Sequence, residues 1–154
     1  MSNNKQKLLQ YLKSHNFMTV ATVDGKPWVA NVYYVVDDDF NLYFLSEPQS
    51  KHGQDLVRNP LVACSIADSH QKVTDQKIGV QLQGMTKMVN VLTKMRWMLH
   101  LWNRVNPGFE SLINLKNIQN KVIKGRIYQV KPHLIKFFNE SLYGPEGSEV
   151  FTSK

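Results

Sequence analysis

The stretch from Asn41 to Pro60, NLYFLSEPQSKHGQDLVRNP, places a hydroxyl, an ammonium and an imidazole side by side in Ser50, Lys51 and His52. Its first part, LYFLS, has the alternation of a strand, residues 47–49 cannot continue that strand, and Ser50 is a good N-cap for a short helix. Free N–H groups and the helix dipole attract anions at a helix start. The stretch therefore predicts a phosphate site. The alternative is that Ser50 only caps the helix and that Lys51 and His52 are solvated.

The length and composition predict a single domain, residues 1–154. With 154 residues, 42% hydrophobic and 20% charged, the chain is ordinary for a globular protein with one core. Neither a signal-peptide core nor an apolar run long enough for a membrane span is present, so we expect a cytoplasmic protein without a membrane partner. The single cysteine, Cys64, lies in the apolar run LVACSIA, where we expect it to pack as a small hydrophobic residue.

The formal net charge of +7 raises the question of nucleic-acid binding. The Lys and Arg residues are scattered, however, and no helix-turn-helix, zinc-finger or RNP-type pattern is present. A diffuse positive charge fits a small anionic ligand at least as well. We therefore expect no nucleic-acid partner, and a basic nucleic-acid-binding domain remains the weakest of the functional alternatives.

The first half of the chain predicts a helix followed by antiparallel strands. Residues 5–15 are amphipathic with helical spacing, and two β-rich runs on either side of Asp24-Gly25 predict a hairpin. Asp37, Asp38 and Asp39 follow the second run. They lack the spaced ligands of a calcium loop, so we interpret them as a solvated hairpin turn and predict no metal site.

The second half predicts further strands and a helical insertion. LVACSIA is nearly all apolar and predicts a strand buried on both faces, and Gly84 inside the following long strand indicates a bulge or a close backbone approach. We expect the remaining elements to be a loop over 68–77, a helix over 91–105, a short helix over 110–117, two strands over 126–130 and 134–138, and an irregular tail.

These elements together predict a mainly β, α+β fold with about six antiparallel strands in a small barrel and flanking helices. The helix over 91–105 has a polar stripe, but its apolar side, which includes Met98, Leu101 and Val105, is wider than one small sheet needs. A subunit interface is one explanation for that width.

The order of the motifs resembles the pyridoxamine 5'-phosphate oxidase-like proteins that form an FMN-binding split barrel. The motifs are K-P-x-V, then L-Y-F-L-S followed by S-K and L-V-x-N-P, then Q-L-Q-G, and the likeness is strongest to the small uncharacterised members of that family. The resemblance implies a six-stranded antiparallel split β-barrel, FMN as the cofactor, and a homodimer that holds the flavin at its interface.

The resemblance also implies which residues bind the cofactor. It assigns the ribityl phosphate to Ser46, Ser50, Lys51 and His52, and the isoalloxazine ring and its surroundings to Val29, Ala30, Asn31, Leu45 and Gln83. His52 occupies a position where the family often has Lys or Arg, so phosphate affinity should depend on pH. Val29 and Ala30 stand where the oxidase proper has an arginine, which argues against vitamin B6 as the substrate.

Three functional classes follow. The leading one is an FMN-dependent oxidoreductase in which the flavin does the chemistry, because no Ser/His/Asp set, metal motif or P-loop supplies a catalytic side chain. The second is a non-catalytic flavin- or haem-binding module, for which the candidate axial ligands are His15, His70, His100 and His133. The third is the nucleic-acid-binding domain.

Overall fold

The computed structural model describes residues 2–153. This part of the chain contains seven strands and five helices. In order they are α1 (Asn3–Ser14), β1 (Phe17–Asp24), β2 (Lys26–Val36), β3 (Leu42–Ser46), α2 (Lys51–Arg58), β4 (Leu61–Ile66), β5 (Ile78–Met88), α3 (Leu92–Val105), α4 (Leu115–Gln119), β6 (Arg126–Asn139), α5 (Glu140–Tyr143) and β7 (Ser148–Thr152).

Six of the strands close into an antiparallel barrel, as the sequence predicts. The order is β3-β2-β1-β4-β5-β6, and β3 also pairs with β6 and so completes the ring, while β7 is added on the other side of β6. Strands β2 and β3 pair only from Tyr34↔Phe44 to Val36↔Leu42. The remainder of β2 has no pairing to β3, and α2 packs against β1 and β2 in this region. The barrel is therefore split beside the stretch that predicts the phosphate site.

The turns of the first half follow from short polar residues. Gly25 takes a φ of +77° between β1 and β2, a conformation that glycine reaches without steric cost. In the next turn the Asp37 carboxylate accepts hydrogen bonds from the backbone N–H and side-chain amide of Asn41 and from the Tyr43 hydroxyl, each at 2.8 Å. The acidic residues thus form a hairpin turn, as predicted.

Two hydrophobic clusters stabilise the fold. The barrel core, inside the ring and closed by α1, contains the fully buried side chains Tyr34, Phe44 and Phe137. The outer core lies between α3 and the outside of β2, β3 and β6, and Met98 of α3 is 0% exposed within it. Leu101 and Val105 pack against the same cluster. The chain itself therefore covers the wide apolar side of α3, which does not require a subunit interface.

The sequence-based division of the last strand is wrong, because β6 runs unbroken through Lys131-Pro132-His133. Between Gln83 and Gly84 of β5 the pairing passes from Leu134 to Pro132, so His133 is an extra, bulged residue of β6 next to the proline. A Cβ atom on Gly84 would lie 2.7 Å from the carbonyl oxygen of Lys131, so only glycine allows this close approach. The close backbone approach predicted at Gly84 is thus confirmed, and the bulge opposite it in β6 explains how proline fits within that strand.

The tail and the second short helix also differ from the prediction. The tail is ordered: the Asn139 side chain caps α5 by accepting from the backbone N–H of Leu142, and β7 then pairs with β6. Helix α4 starts at Leu115, because the Asn114 side chain caps it there by accepting from the N–H of Asn117 at 2.9 Å. Both caps depend on asparagines that ordinary periodicity does not reveal.

Strand β4 is buried on one face only. Val62, Cys64 and Ile66 point into the barrel, whereas Leu61 on the other face is 51% exposed. Burial raises the pKa of the Cys64 thiol to about 12, as expected for a small hydrophobic residue without nucleophilic character. The outer face of β4, which carries Leu61, Ala63 and Ser65, is thus exposed. Among residues 2–153, none of the helices has the length and apolar character that crossing a bilayer requires.

Candidate functional site

The candidate site begins where β3 ends and α2 starts. Ser50 is the N-cap of α2, as predicted: its hydroxyl accepts from the backbone N–H of Gly53 at 3.1 Å and donates to the carbonyl oxygen of Glu47 at 2.7 Å. A Cβ atom on Gly53 would lie 2.5 Å from that same carbonyl oxygen. The absence of a side chain at Gly53 therefore lets the turn fold closely over the helix start.

The imidazole of His52 joins two hydroxyls at this helix start. Its Nε2 forms a short hydrogen bond with Ser46 Oγ and lies 3.2 Å from Ser50 Oγ. Because the Ser50 hydroxyl already donates to Glu47, Ser50 can only accept from Nε2, whereas Ser46 can donate or accept. Burial lowers the pKa of His52, and Asp55 opposes that effect in part. The imidazole is therefore neutral at pH 7 in the free chain.

Lys51 points toward a buried acid on the other side of α2. Its ammonium forms an ion pair with Asp55, one turn further along the helix, and Asp55 is 0% exposed. Thr22 of β1 donates to the second carboxylate oxygen at 2.8 Å. The hydrogen bond from Lys51 is the main reason why the pKa of Asp55 lies below its usual value. Sequence reasoning missed Asp55 and Thr22, although the i,i+4 spacing of Lys51 and Asp55 on a helix was a usable signal.

Positive charge is nonetheless available at this helix start. The side chain of Lys51 is 47% exposed, and an ammonium has three N–H donors, so the contact with Asp55 leaves capacity for an anion. The first N–H groups of a helix and its dipole add to that potential. At the other end of α2, Arg58 pairs with Asp24 and so anchors the helix to the β1–β2 hairpin. The arrangement can therefore hold a phosphate group on a fixed helix.

The three predicted ring-binding residues of β2 lie on two faces of the strand. Ala30 packs against the barrel core, whereas Val29 and Asn31 are exposed on the outer face. The Asn31 side-chain carbonyl accepts from the Thr19 hydroxyl at 2.7 Å, which leaves its amide N–H groups for a ligand. Successive side chains of a strand point to opposite faces, so these three residues cannot all present their side chains to the same ligand. A flat ring on the outer face would contact the side chains of Val29 and Asn31 and only the backbone of Ala30.

Leu45 and Gln83 lie apart from the phosphate-binding residues within the single chain. Leu45 packs against the outer core, on the opposite face of β3 from Phe44. Gln83 is exposed on the outer face of β5, paired with Ala63 and Leu134, along an open groove of about 370 Å³. The structure thus brings Ser46, Ser50 and His52 together and keeps these two residues on separate surfaces.

Comparison with known proteins gives a family match over most of the chain. The model of the family described as pyridoxamine 5'-phosphate oxidase matches residues 5–104. A curated relative, the UPF0306 protein of Photorhabdus laumondii, is 32% identical over 85 residues, which are 54% of this chain. The match spans 59% of the length of that relative.

Solved structures with the same fold differ strongly in sequence. A haem-binding protein of Mycobacterium smegmatis superposes with a TM-score of 0.75 at 15% identity, over 99% of this chain and 59% of its own. An FAD-binding protein of Mesorhizobium loti superposes with a TM-score of 0.62 at 17% identity, over 84% of this chain and 88% of its own. At such identities the likeness concerns the fold alone.

Proposed function

The chain belongs to the pyridoxamine 5'-phosphate oxidase family, and from that premise we propose that it is an FMN-binding flavoprotein with oxidoreductase activity. The observation that carries the proposal is the convergence of Ser46, Ser50 and His52 at the start of α2. These groups, together with the Lys51 ammonium, have the donor chemistry that a phosphate monoester requires.

Each residue has a distinct role toward the phosphate. The Lys51 ammonium, held in place by Asp55, provides fixed positive charge, and the hydroxyl of Ser46 donates a hydrogen bond. His52 is neutral in the free chain, and an approaching phosphate favours its protonated form, so binding should take up a proton. The N-cap bond of Ser50 keeps the helix start in a fixed orientation.

The outer face of β2 provides the surface for the ring. Val29 offers an apolar contact and Asn31 offers amide N–H groups that can donate to ring carbonyl oxygens. The flavin supplies the redox chemistry when it is bound, and the protein orients it. Val29 and Ala30 provide no positive charge on this strand, so we do not propose vitamin B6 as the substrate.

A homodimer is part of the proposal, because the site is open and an apolar surface lies beside it. On the outer face of the barrel, the side chains of Val29, Leu61 and Met85 are each more than half exposed, and such a patch marks an interaction site. A second copy placed on this face would close the groove that contains Gln83. This surface, and not the covered side of α3, is the interface that we propose.

Light scattering tests the dimer. The expected mass is twice 17.8 kDa for the parent chain. Leu61→Asp should yield the monomer, whereas Val73→Asp, which alters an exposed side chain in the loop before β5, should leave the dimer intact. A monomeric parent at micromolar concentration, or a Leu61→Asp variant that remains dimeric, would contradict this interface.

A haem-binding module is the second candidate, favoured by the likeness to the haem-binding fold. Of the candidate ligands, His15 has its Nδ1 hydrogen-bonded to the carbonyl oxygen of Tyr11 at 2.9 Å, which would leave Nε2 for an iron. The absorption spectrum of the purified protein, supplemented with FMN and separately with haem, distinguishes the two. We expect tight retention of FMN after gel filtration. A Soret band with no retained flavin would favour the haem module.

A further inference from the structure

The positive charge of the chain is concentrated in the helical segment outside the barrel. Residues 87–126, which contain α3, α4 and the loops beside them, include eight Lys and Arg residues and one acidic residue, Glu110. The remainder of the chain has eleven basic and eleven acidic residues, so this segment accounts for the entire net charge of +7. The basic residues are scattered in sequence, and the asymmetry arises because acidic residues are nearly absent from one segment.

The fold turns much of this charge outward. Helices α3 and α4 both pack their apolar sides against the outer core, and the Asn103 amide joins α3 to the chain before α4 by donating to the carbonyl oxygen of Ile113 at 3.2 Å. Five exposed cations, which we call the basic helical surface, lie on the solvent side of these elements: Arg96 and Arg104 of α3, Lys116 of α4, and Lys121 and Lys124 of the loop that follows. Among residues 2–153, none of the five has an ion-pair partner.

The nearest carboxylates are occupied within the chain. Asp37 and Asp38 line a cleft together with Arg104, but Asp37 serves the hairpin turn and Asp38 pairs with the ammonium of Lys13. Glu110 accepts from a backbone N–H two residues earlier at 3.0 Å. The charge of the basic helical surface is therefore left for a partner outside the chain.

Aliphatic side chains are exposed beside this charge. Val91 and Leu92 at the start of α3 and Val122 in the loop after α4 are each at least half exposed. Their neighbours Val89 and Ile123 pack in the same outer core, so the exposed side chains border one cluster. Basic side chains combined with exposed aliphatic ones are typical of proteins that bind at a membrane surface.

We propose that the basic helical surface binds the surface of an anionic lipid bilayer. The Lys and Arg side chains attract the negative headgroups, and Val91, Leu92 and Val122 enter the boundary between headgroups and acyl chains. A nucleic acid would match the charge, but its phosphate backbone offers these aliphatic side chains no apolar contact. The expectation of no membrane partner rests on the absence of a spanning segment, which a contact at the bilayer surface does not need. The proposal goes beyond the proposed function, because none of these residues belongs to the flavin site.

Co-sedimentation of the purified chain with vesicles tests the proposal. The chain should sediment with vesicles of phosphatidylcholine and phosphatidylglycerol and stay in the supernatant with vesicles of phosphatidylcholine alone. Added salt should lower the bound fraction, because it screens exposed charges. Arg96→Gln and Arg104→Gln should each weaken binding roughly 5-fold, the contribution of one basic residue near an anionic membrane. Lys72→Gln, which removes the same charge from the exposed loop before β5, should bind like the parent.

Leu92→Ser distinguishes a lipid surface from a nucleic acid, because it leaves the charge unchanged. Binding to the anionic vesicles should fall roughly 3-fold, as expected when a half-exposed leucine loses its apolar contact. Val73→Ser makes a similar change at a side chain that is 95% exposed in the loop before β5, and it should have no effect. Duplex DNA that binds more tightly than the anionic vesicles, with an affinity that Leu92→Ser does not alter, would overturn the proposal in favour of a nucleic acid.

Two further results would contradict a lipid partner. One is equal binding, or none, to the two kinds of vesicle, and the other is a double variant of Arg96→Gln and Arg104→Gln that binds anionic vesicles as tightly as the parent. If a variant fails to fold, the preference of the parent chain for anionic vesicles still decides. Failure of FMN binding would leave these results unaffected, so the two proposals fail separately.

Discussion

The two sides of the α2 start use neighbouring residues in different ways. On one side the half-exposed Lys51 ammonium pairs with a buried set, Asp55 and Thr22, in which the Thr22 hydroxyl donates to the Asp55 carboxylate. On the other side His52 and Ser46 form a neutral pair near the surface. Successive residues of a helix point about 100° apart, so the side chains of Lys51 and His52 leave the helix in different directions and would approach a bound phosphate from two sides.

Charge and hydrogen bonding at this site are therefore supported by different parts of the fold. The charged side is held by the fold, because the carboxylate of Asp55 is fully buried and keeps the ammonium in position. The neutral side changes with the ligand, because burial lowers the pKa of His52 and a phosphate would raise it. Variants on the two sides should therefore alter different properties of the protein.

The largest effect on binding should come from the charged side. Lys51→Ala removes the ammonium, and we expect FMN affinity to fall roughly 10- to 150-fold, as for the loss of a charge-assisted hydrogen bond. Quenching of flavin fluorescence measures the constant. Lys72→Ala, in the exposed loop before β5, is the matched control and should bind FMN like the parent. Equal weakening of FMN and riboflavin in Lys51→Ala would show that the residue supports the fold instead.

Thr22→Val should act on stability and leave ligand preference alone. The change removes the 2.8 Å hydrogen bond to the buried carboxylate of Asp55, and we expect the thermal midpoint to fall by roughly 3 to 10 °C. The control is Thr19→Val, because the hydroxyl of Thr19 bonds Asn31 at the surface. If the Thr22 variant melted like the parent, the buried set would not stabilise the helix start.

The smallest effect should be the pH dependence of the neutral side. The pKa of His52 is lower in the folded chain than in the unfolded chain, so the unfolded chain binds more protons below about pH 6.5. The neutral His52 therefore contributes to the stability of the fold above that pH, and this contribution is lost as the pH falls. FMN affinity should change in the opposite sense, because the imidazolium attracts phosphate. The phosphate of FMN also titrates in this range, with a second pKa near 6. Because this titration affects the parent and His52→Ala alike, the ratio of their dissociation constants reports on His52 alone.

The expected result is a few-fold loss of FMN affinity in His52→Ala that grows as the pH falls below about 6.5. Calorimetric titrations at several pH values measure it. A loss that stays constant across this range would mean that His52 acts only through packing.

Local chemistry made most of the fold predictable. The β1–β2 hairpin, the helix over 91–105 and the close backbone approach at Gly84 follow from the glycine positions and from periodicity. The unbroken β6 did not, because its proline is accommodated by a bulge at His133 that becomes apparent only when β6 is paired with β5. The sequence also did not predict that one face of β4 is exposed. An apolar run does not show whether other elements of the chain pack against both of its faces.

The site was predictable where neighbours in sequence are also neighbours in space. Ser50 as the N-cap is confirmed, and Ser46 and His52 meet across the turn. Asp55 and Thr22 were missed, because the buried contact joins α2 to a strand 33 residues earlier. The flavin-binding roles of Val29, Leu45 and Gln83, among others, stay predictions.

The ratio of riboflavin to FMN dissociation constants in the parent chain tests the central claim most directly, since the two ligands differ by one phosphate. If the start of α2 holds that phosphate, FMN should bind at least roughly 10-fold more tightly than riboflavin at pH 7. Equal affinity for the two flavins would contradict a phosphate site at Ser46, Ser50, Lys51 and His52. Failure of either flavin to bind would contradict the flavoprotein itself.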